Sequence, residues 1–215
     1  MAVRKVFWED PYRRELPSQV GAVIGNEVAL TQTILYAFSG GQESDGGTIG
    51  GHPVLSARKE GLEIWYALPE GHGLQPGQGV DLVLDWTRRY RLMRLHFAAE
   101  LVLECTYRAC PGIEKIGAHI AADKARIDFA TAQNMNAVLP GIAEAVAALV
   151  GADHPIISAF SDEAAQRRYW EIADFARVAC GGTHLARTGE VGALHLRRKN
   201  VGGGKERLEI SLQNP

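Results

Sequence analysis

The feature that most constrains this chain is a single change of hydrophobic period near Asp85. From Val20 to Asp85, apolar residues alternate in short runs divided by glycine, the pattern of half-buried strands. After it, "DWTRRYRLMRLHFAAELVLECTYRA" repeats apolar residues at helical spacing. Leu92, Leu95, Ala99 and Leu103 form one stripe, and Met93, Phe97 and Leu101 a second. The spacing predicts a helix over 88–109, capped by Asp85 or Thr87. Strands grouped before helices point to an α+β fold rather than alternating β and α units. The expected architecture is a small N-terminal β-barrel in residues 1–87 followed by a two-layer α/β domain with an antiparallel sheet in 88–215.

Within the first block, "VGAVIGNEVAL" reads as two strands around Gly25-Asn26, and a hairpin is expected to turn near Lys59-Glu60-Gly61. "QPGQGVDLVLDW" is a Pro-Gly turn leading into another strand. In the second block "AHIAADKARIDF" reads as a strand pair, and "PGIAEAVAALV" as a helix with Pro140 in its first turn and Gly151 just past its end. "HPIISAF" is expected to be a strand, "SDEAAQRR" a short helix opened by Ser161, and "VGALHLRRKNVGGGKERLEISL" a terminal hairpin.

The composition, 46% apolar and 22% charged with no low-complexity tract, is that of a globular protein with a real core. No run approaches 18 apolar residues, and the N-terminal segment has no apolar stretch of the signal-peptide kind, so a cytoplasmic protein is expected, with no membrane partner. Three cysteines, Cys105, Cys110 and Cys180, make an odd set that argues against a disulfide framework. The net charge of −2 excludes a uniformly basic nucleic-acid-binding surface, which leaves two local patches. One holds Arg88, Arg89, Arg91 and Arg94. The other includes Lys199, Lys205 and Arg207. Charge runs of this kind also occur as plain solvated faces.

Two stretches carry possible metal chemistry. Cys180 and His184 in "CGGTH" are both zinc-ligand types, and the intervening glycines let the backbone bring them together. A buried cysteine beside an ordinary histidine fits the same five residues. His96 and Glu100 stand four apart on the predicted helix, on a face shared with Leu92, Ala99 and Leu103. A carboxylate facing an interior needs a partner or a cation, so this pair is either two ligands or a His–Glu hydrogen bond. The glycine-rich "SGGQESDGGTIGGH" has neither a P-loop ending nor a dinucleotide fingerprint. It reads as a loop that brings backbone and Gln42 close to a site.

Taken together, "FSGGQESDGGTI", "DWTRRYRLMRLHFAAEL", "GAHIAADKARIDF", "CGGTH" and "TGEVGALHLRRKNVGGGKERLEISL" resemble, in order and spacing, the alanyl-tRNA editing proteins and the editing domain of alanyl-tRNA synthetase. The resemblance runs from about Tyr36 to Leu212. It implies a zinc-dependent deacylase that hydrolyses the ester of a wrong amino acid on tRNA(Ala), serine typically and glycine as a second candidate, with no obligate protein partner. It also implies metal ligands at His96, Cys180 and His184, with Glu100 standing where the family has a fourth histidine. Gly40, Gly41, Gln42 and Asp45 fall in the family's glycine motif, which here has Ser39 in place of a glycine and Glu43 in place of a proline. Gln42 and Thr183 become catalytic candidates, with His119 as a further imidazole, and the two basic patches become tRNA contacts.

For Glu100 three roles stand open. As a ligand it would add a second anion to the Cys180 thiolate and cancel the charge of a zinc ion, giving a weaker Lewis acid than a three-imidazole set. Off the metal it would be a general base. A chain that has lost its metal is the third case. Beside the deacylase, a non-catalytic zinc-bearing tRNA-binding relative and a hydrolase of another aminoacyl ester are the competing functions.

Overall fold

The computed structural model describes residues 2–213. The chain is α+β and mostly strand, with three α-helices among the described residues. It divides into two compact units. One comprises the residues up to Ser39 together with Glu43–Tyr90, and the other Gly40–Gln42 together with Arg91 onward. Among the described residues no helix is long and apolar enough to cross a membrane.

The first unit contains β1 (Arg4–Lys5), α1 (Val6–Glu9), β2 (Glu15–Ile24), β3 (Glu27–Leu30), β4 (Gln32–Thr33), β5 (Gly47–Ile49), β6 (His52–Pro53), β7 (Ser56–Glu60), β8 (Glu63–Ala67) and β9 (Gly79–Leu84). Seven of the strands form one antiparallel sheet in the order β6-β5-β9-β2-β3-β8-β7, and β1 pairs in parallel with β4. Glu15–Gln19 of β2 pair with β9, whereas Val20–Ile24 pair with β3 across a register shift. One long bulged strand therefore serves both halves of the sheet and curls it, the geometry a bulge produces. The order ends at β6 and β7, so the pairing describes a curled half-barrel. The core of this unit buries Phe7, Val28, Ile34, Leu35, Ile49, Tyr66 and Leu82, and along β9 the buried positions alternate as Val80, Leu82 and Leu84. The expected hairpins are in place: β2–β3 turns at Gly25-Asn26 and β7–β8 just after Glu60.

Helix α2 (Trp86–Ala109), which belongs to the second unit from Arg91 onward, begins two residues earlier than the spacing predicts. Asp85 is its cap, the carboxylate accepting from the Arg88 amide at 3.0 Å. Leu92, Met93, Leu95, Phe97, Ala98, Leu101 and Val102 are all fully buried. Apolar burial on every side makes this an interior helix, which is why two stripes appeared in the sequence rather than one. A four-stranded antiparallel sheet is ordered β10 (Glu114–Ile120), β11 (Ala125–Ala130), then the terminal hairpin as β16 (Lys205–Leu212) and β15 (Leu194–Gly202). Helix α3 (Leu139–Gly151) starts with Pro140 in its first turn, and Gly151 is its last residue rather than the first beyond it.

A third sheet, β12 (Ile157–Asp162), β13 (Arg167–Ile172) and β14 (Ala176–Ala179), corrects the expected helix at "SDEAAQRR". Those residues are the reversal of the β12–β13 hairpin. The Asp162 carboxylate accepts from the Ala165 amide at 2.9 Å, and Gln166 takes a left-handed φ of 52°. Helix-forming composition loses here to the pairing of "ISAF" with "RRYW", aromatic-bearing segments that bury Trp170 and Ile172.

Candidate metal centre

His96 lies in the middle of α2 and is 4% exposed, and Cys180 follows directly on β14. His184, one turn of irregular chain further on, is 3% exposed. The Nε2 atoms of both histidines lie 3.2 Å from the Cys180 sulfur. Donor atoms of His96, Cys180 and His184 all fall within 4.8 Å of one another, the group of metal-ligand type that the described residues bring together. The sequence explains why the chain can do this. A Cβ on Gly182 would stand 2.5 Å from His96 Cε1, so only glycine lets the Cys180–His184 turn close over the imidazole.

The protonation states suit ligation by the histidines. Burial pushes both imidazoles down, His184 well below its ordinary value and with the His96 charge as a further cause, so each presents a neutral ring. The Ser158 hydroxyl on β12 meets His184 Nδ1 at 2.8 Å and leaves Nε2 to face the sulfur. His96 Nδ1, by contrast, is a buried nitrogen with no hydrogen-bond partner. Burial drives the Cys180 thiol strongly upward, and the Glu100 charge adds to it. Without a cation the sulfur keeps its proton, and a divalent ion would remove it. Two neutral imidazoles and a thiol with their donor atoms packed this closely fit a soft divalent ion such as zinc.

Glu100 reaches the edge of the group. Its Oε1 lies 3.7 Å from both His96 Nε2 and Cys180 Sγ, while Trp170 Nε1 donates to Oε2 at 3.0 Å. Glu100 does not belong to the mutually close set of three. Gln42 and Thr183 are brought together, both buried, with Gln42 Nε2 donating to Thr183 Oγ1 at 3.0 Å. The Gln42 carbonyl oxygen lies 3.0 Å from where a Cβ on Gly182 would stand, which puts the amide against the Cys180–His184 turn. Gly41 holds this segment to β10: its φ is +86°, its carbonyl accepts from Ile120, and a Cβ would meet the Ala118 carbonyl at 2.7 Å. His119 sits half-buried on β10 across from Arg126 and outside the donor group.

The other candidates scatter. Asp45 is buried in the first unit, where it holds Arg89 by two hydrogen bonds of 2.9 and 2.5 Å. Arg89 also donates to the carbonyls of Pro11 and Ile34, so it is a structural cation and not a surface contact for tRNA. Arg88 is bonded to Glu43 and to the Ser44 carbonyl, Arg91 to the Ala122 carbonyl, and Arg94 to the Val191 carbonyl. The terminal hairpin does present cations. Arg207 lies across from Asp128 and Lys199, and Glu209 across from Arg126 and Arg197, with Lys205 two positions along from Arg207 on the same side. Five cations thus share a sheet face with two carboxylates. Arg126 was missed in the sequence, as were Ser158 and Trp170. Strand alternation alone could have placed Arg126, but only the strand register brings the other two to the site.

The family model of the threonyl and alanyl tRNA synthetase second additional domain matches residues 170–209, the stretch containing Trp170, Cys180 and His184. The alanyl-tRNA editing protein AlaX-M of Pyrococcus horikoshii is 34% identical over 98% of this chain and 98% of its own length. The chain belongs to the alanyl-tRNA editing protein family. The AlaX-M of Methanosarcina mazei is 27% identical over 96% of this chain and 95% of its own length. The alanine–tRNA ligase of Ignicoccus hospitalis is 32% identical over 96% of the chain, but this chain spans only 26% of that ligase. Members of this family thus occur both at the length of this chain and embedded in a much larger synthetase.

Proposed function

We propose that this protein is a zinc-dependent trans-editing hydrolase that removes serine, and glycine as a second substrate, from mischarged tRNA(Ala). In this reading residues 1–87 are the barrel-type domain and 88–215 the editing domain. The observation that carries it is the convergence of His96, Cys180 and His184 in a chain that matches AlaX-M over nearly the full length of both. Those three residues would hold zinc, with Glu100 as the fourth donor. Donor atoms around a tetrahedral zinc ion lie roughly 3.3–3.6 Å apart for ligand bonds of about 2.0–2.3 Å. The 3.2 Å and 3.7 Å separations around Cys180 bracket that range. Bound there, zinc would supply Lewis acidity toward an ester carbonyl.

The chain's own residues supply the rest. Thr183 Oγ1 accepts from Gln42, so its hydroxyl proton is left to donate to an oxygen of the aminoacyl group. Gln42, anchored through Gly41 to β10, fixes that hydroxyl. The face carrying Arg126, Arg197, Lys199, Lys205 and Arg207 would hold the acceptor-stem phosphates, a sequence-independent contact that weakens with salt. Editing of this kind acts on translation in the cytoplasm.

The test is deacylation of Ser-tRNA(Ala), Gly-tRNA(Ala) and Ala-tRNA(Ala) by the purified chain, with metal content measured on the same sample. Release of serine or glycine with Ala-tRNA(Ala) spared is expected. One observation favours a non-catalytic zinc-bearing relative: with Glu100 included, four protein donors surround the point, the closed set of a structural site. Stoichiometric zinc without hydrolysis of any of the three would select that reading instead.

A further inference from the structure

The Glu100 carboxylate is shared between two neighbours of different kinds. Its Oε1 faces the donor atoms of His96 and Cys180, and its Oε2 accepts from the Trp170 indole. Trp170 is fully buried on β13, with its ring edge-to-face against Phe97 of α2 at 5.2 Å between centroids. Phe97 is itself edge-to-face with His184 at 5.9 Å. The indole is therefore packed in place by the same helix that carries Glu100, and cannot turn its N–H elsewhere without disturbing a filled core.

We infer that Trp170 is a positioning residue that commits Glu100 to the metal through a single oxygen and makes this site specific for a carboxylate at position 100. The inference rests on the metal reading given above. An indole N–H is a donor only, and a carboxylate is an acceptor on every lone pair. With Oε2 turned to the indole, Oε1 is the oxygen that faces His96 and Cys180, so Glu100 adds one donor to two nitrogens and a sulfur. An imidazole at position 100 behaves differently. With one nitrogen on a metal it keeps an N–H on the other, and beside Trp170 that N–H would meet a second donor with no acceptor between them. Buried donors left without acceptors are costly. Trp170 and Glu100 thus form a matched pair, and histidine, the residue the family resemblance suggests here, is disfavoured by the indole rather than by the metal.

The experiment is a zinc-affinity cycle by chelator competition on the full chain. It compares the wild type, Trp170→Phe, Glu100→His and Glu100→His/Trp170→Phe. Trp170→Phe is expected to weaken zinc about 10–100-fold, the usual effect of losing a group that orients a ligand. Glu100→His should weaken it as well, and adding Trp170→Phe to Glu100→His should recover affinity instead of losing more. Additive losses, or no change in Trp170→Phe while the wild type binds zinc, would overturn the inference and leave the metal site standing. A wild type that binds no zinc would remove the metal reading itself. A second measurement needs no change at position 170. Among the four tryptophan indole N–H signals of the wild type, one should shift on zinc addition, and that shift should vanish in Glu100→Gln. An indole spectrum indifferent to zinc, in a protein that binds it, would also overturn the assignment.

Discussion

Arg89 with Asp45, and His96 with Cys180 and His184, are both polar groups taken out of water, one set in each unit of the chain. In the first, donors and acceptors cancel. The guanidinium of Arg89 reaches both oxygens of Asp45 and two backbone carbonyls, and Asp45 also accepts from the Tyr36 amide. In the second they do not. Two neutral rings and a protonated sulfur crowd together, and one ring nitrogen, His96 Nδ1, has no partner. A buried cluster that closes on itself holds a fold together, whereas one that converges without closing leaves donor atoms available to an added ion.

That contrast is breakable by measurement. The largest effect belongs to the closed cluster. Asp45→Ala leaves a fully buried guanidinium without its anion and should cost about 3–5 kcal/mol in chemical denaturation, with zinc content per folded molecule unchanged. A loss below about 1 kcal/mol would mean that the pair does not support the core. Next comes the open cluster. Saturating zinc should raise stability by about 3–4 kcal/mol at 100–1,000 times its dissociation constant, and Cys180→Ala should abolish the rise while leaving the metal-free protein about as stable as before. A zinc-dependent rise that survives Cys180→Ala would place the ion elsewhere.

Smaller effects sharpen the comparison. Ser158→Ala removes the hydroxyl that aims His184 and should weaken zinc about 10-fold; an unchanged affinity would show that packing alone sets the ring. Lys5 is the intermediate case, 5% exposed, its ammonium donating to the Leu62 carbonyl and lying over the Trp8 ring. Burial, with Lys59 adding repulsion, lowers it from 10.5 to about 8. Between those values the unfolded chain holds a proton that the folded chain has released, so stability should rise with pH across that window. Relative to Lys5→Met the gain should be on the order of 1 kcal/mol. Parallel stability curves for the two proteins would mean that the amine is hydrated in the fold.

The same contrast explains what the sequence disclosed. Helix α2, the hairpins and the terminal strands were readable because period and turn residues are local. The β12–β13 hairpin was not, because "SDEAAQRR" has the composition of a helix and its conformation is imposed by the strands on either side. Arg88, Arg89 and Arg91 look alike in sequence, yet only Arg89 is fully buried, and the buried carboxylate that offsets its charge, Asp45, lies 44 positions away. His96, Cys180 and His184 could be joined only through the family pattern, since neither i,i+4 spacing nor C-x3-H is decisive alone. Ser158 and Trp170 carried no signal at all: their roles come from which strand lies beside which.

The glycine-rich segment draws a consequence for how such a chain tolerates change. Gly41 and Gln42 belong with the second unit, and Asp45, three residues after Gln42, with the first. On the proposed function, variation at 42 should be filtered by what the protein does, and variation at 45 by whether it persists in the cell at all. Drift in one short stretch is exposed to two unrelated kinds of selection, and a motif kept for both reasons will look uniformly essential although no single reason explains it.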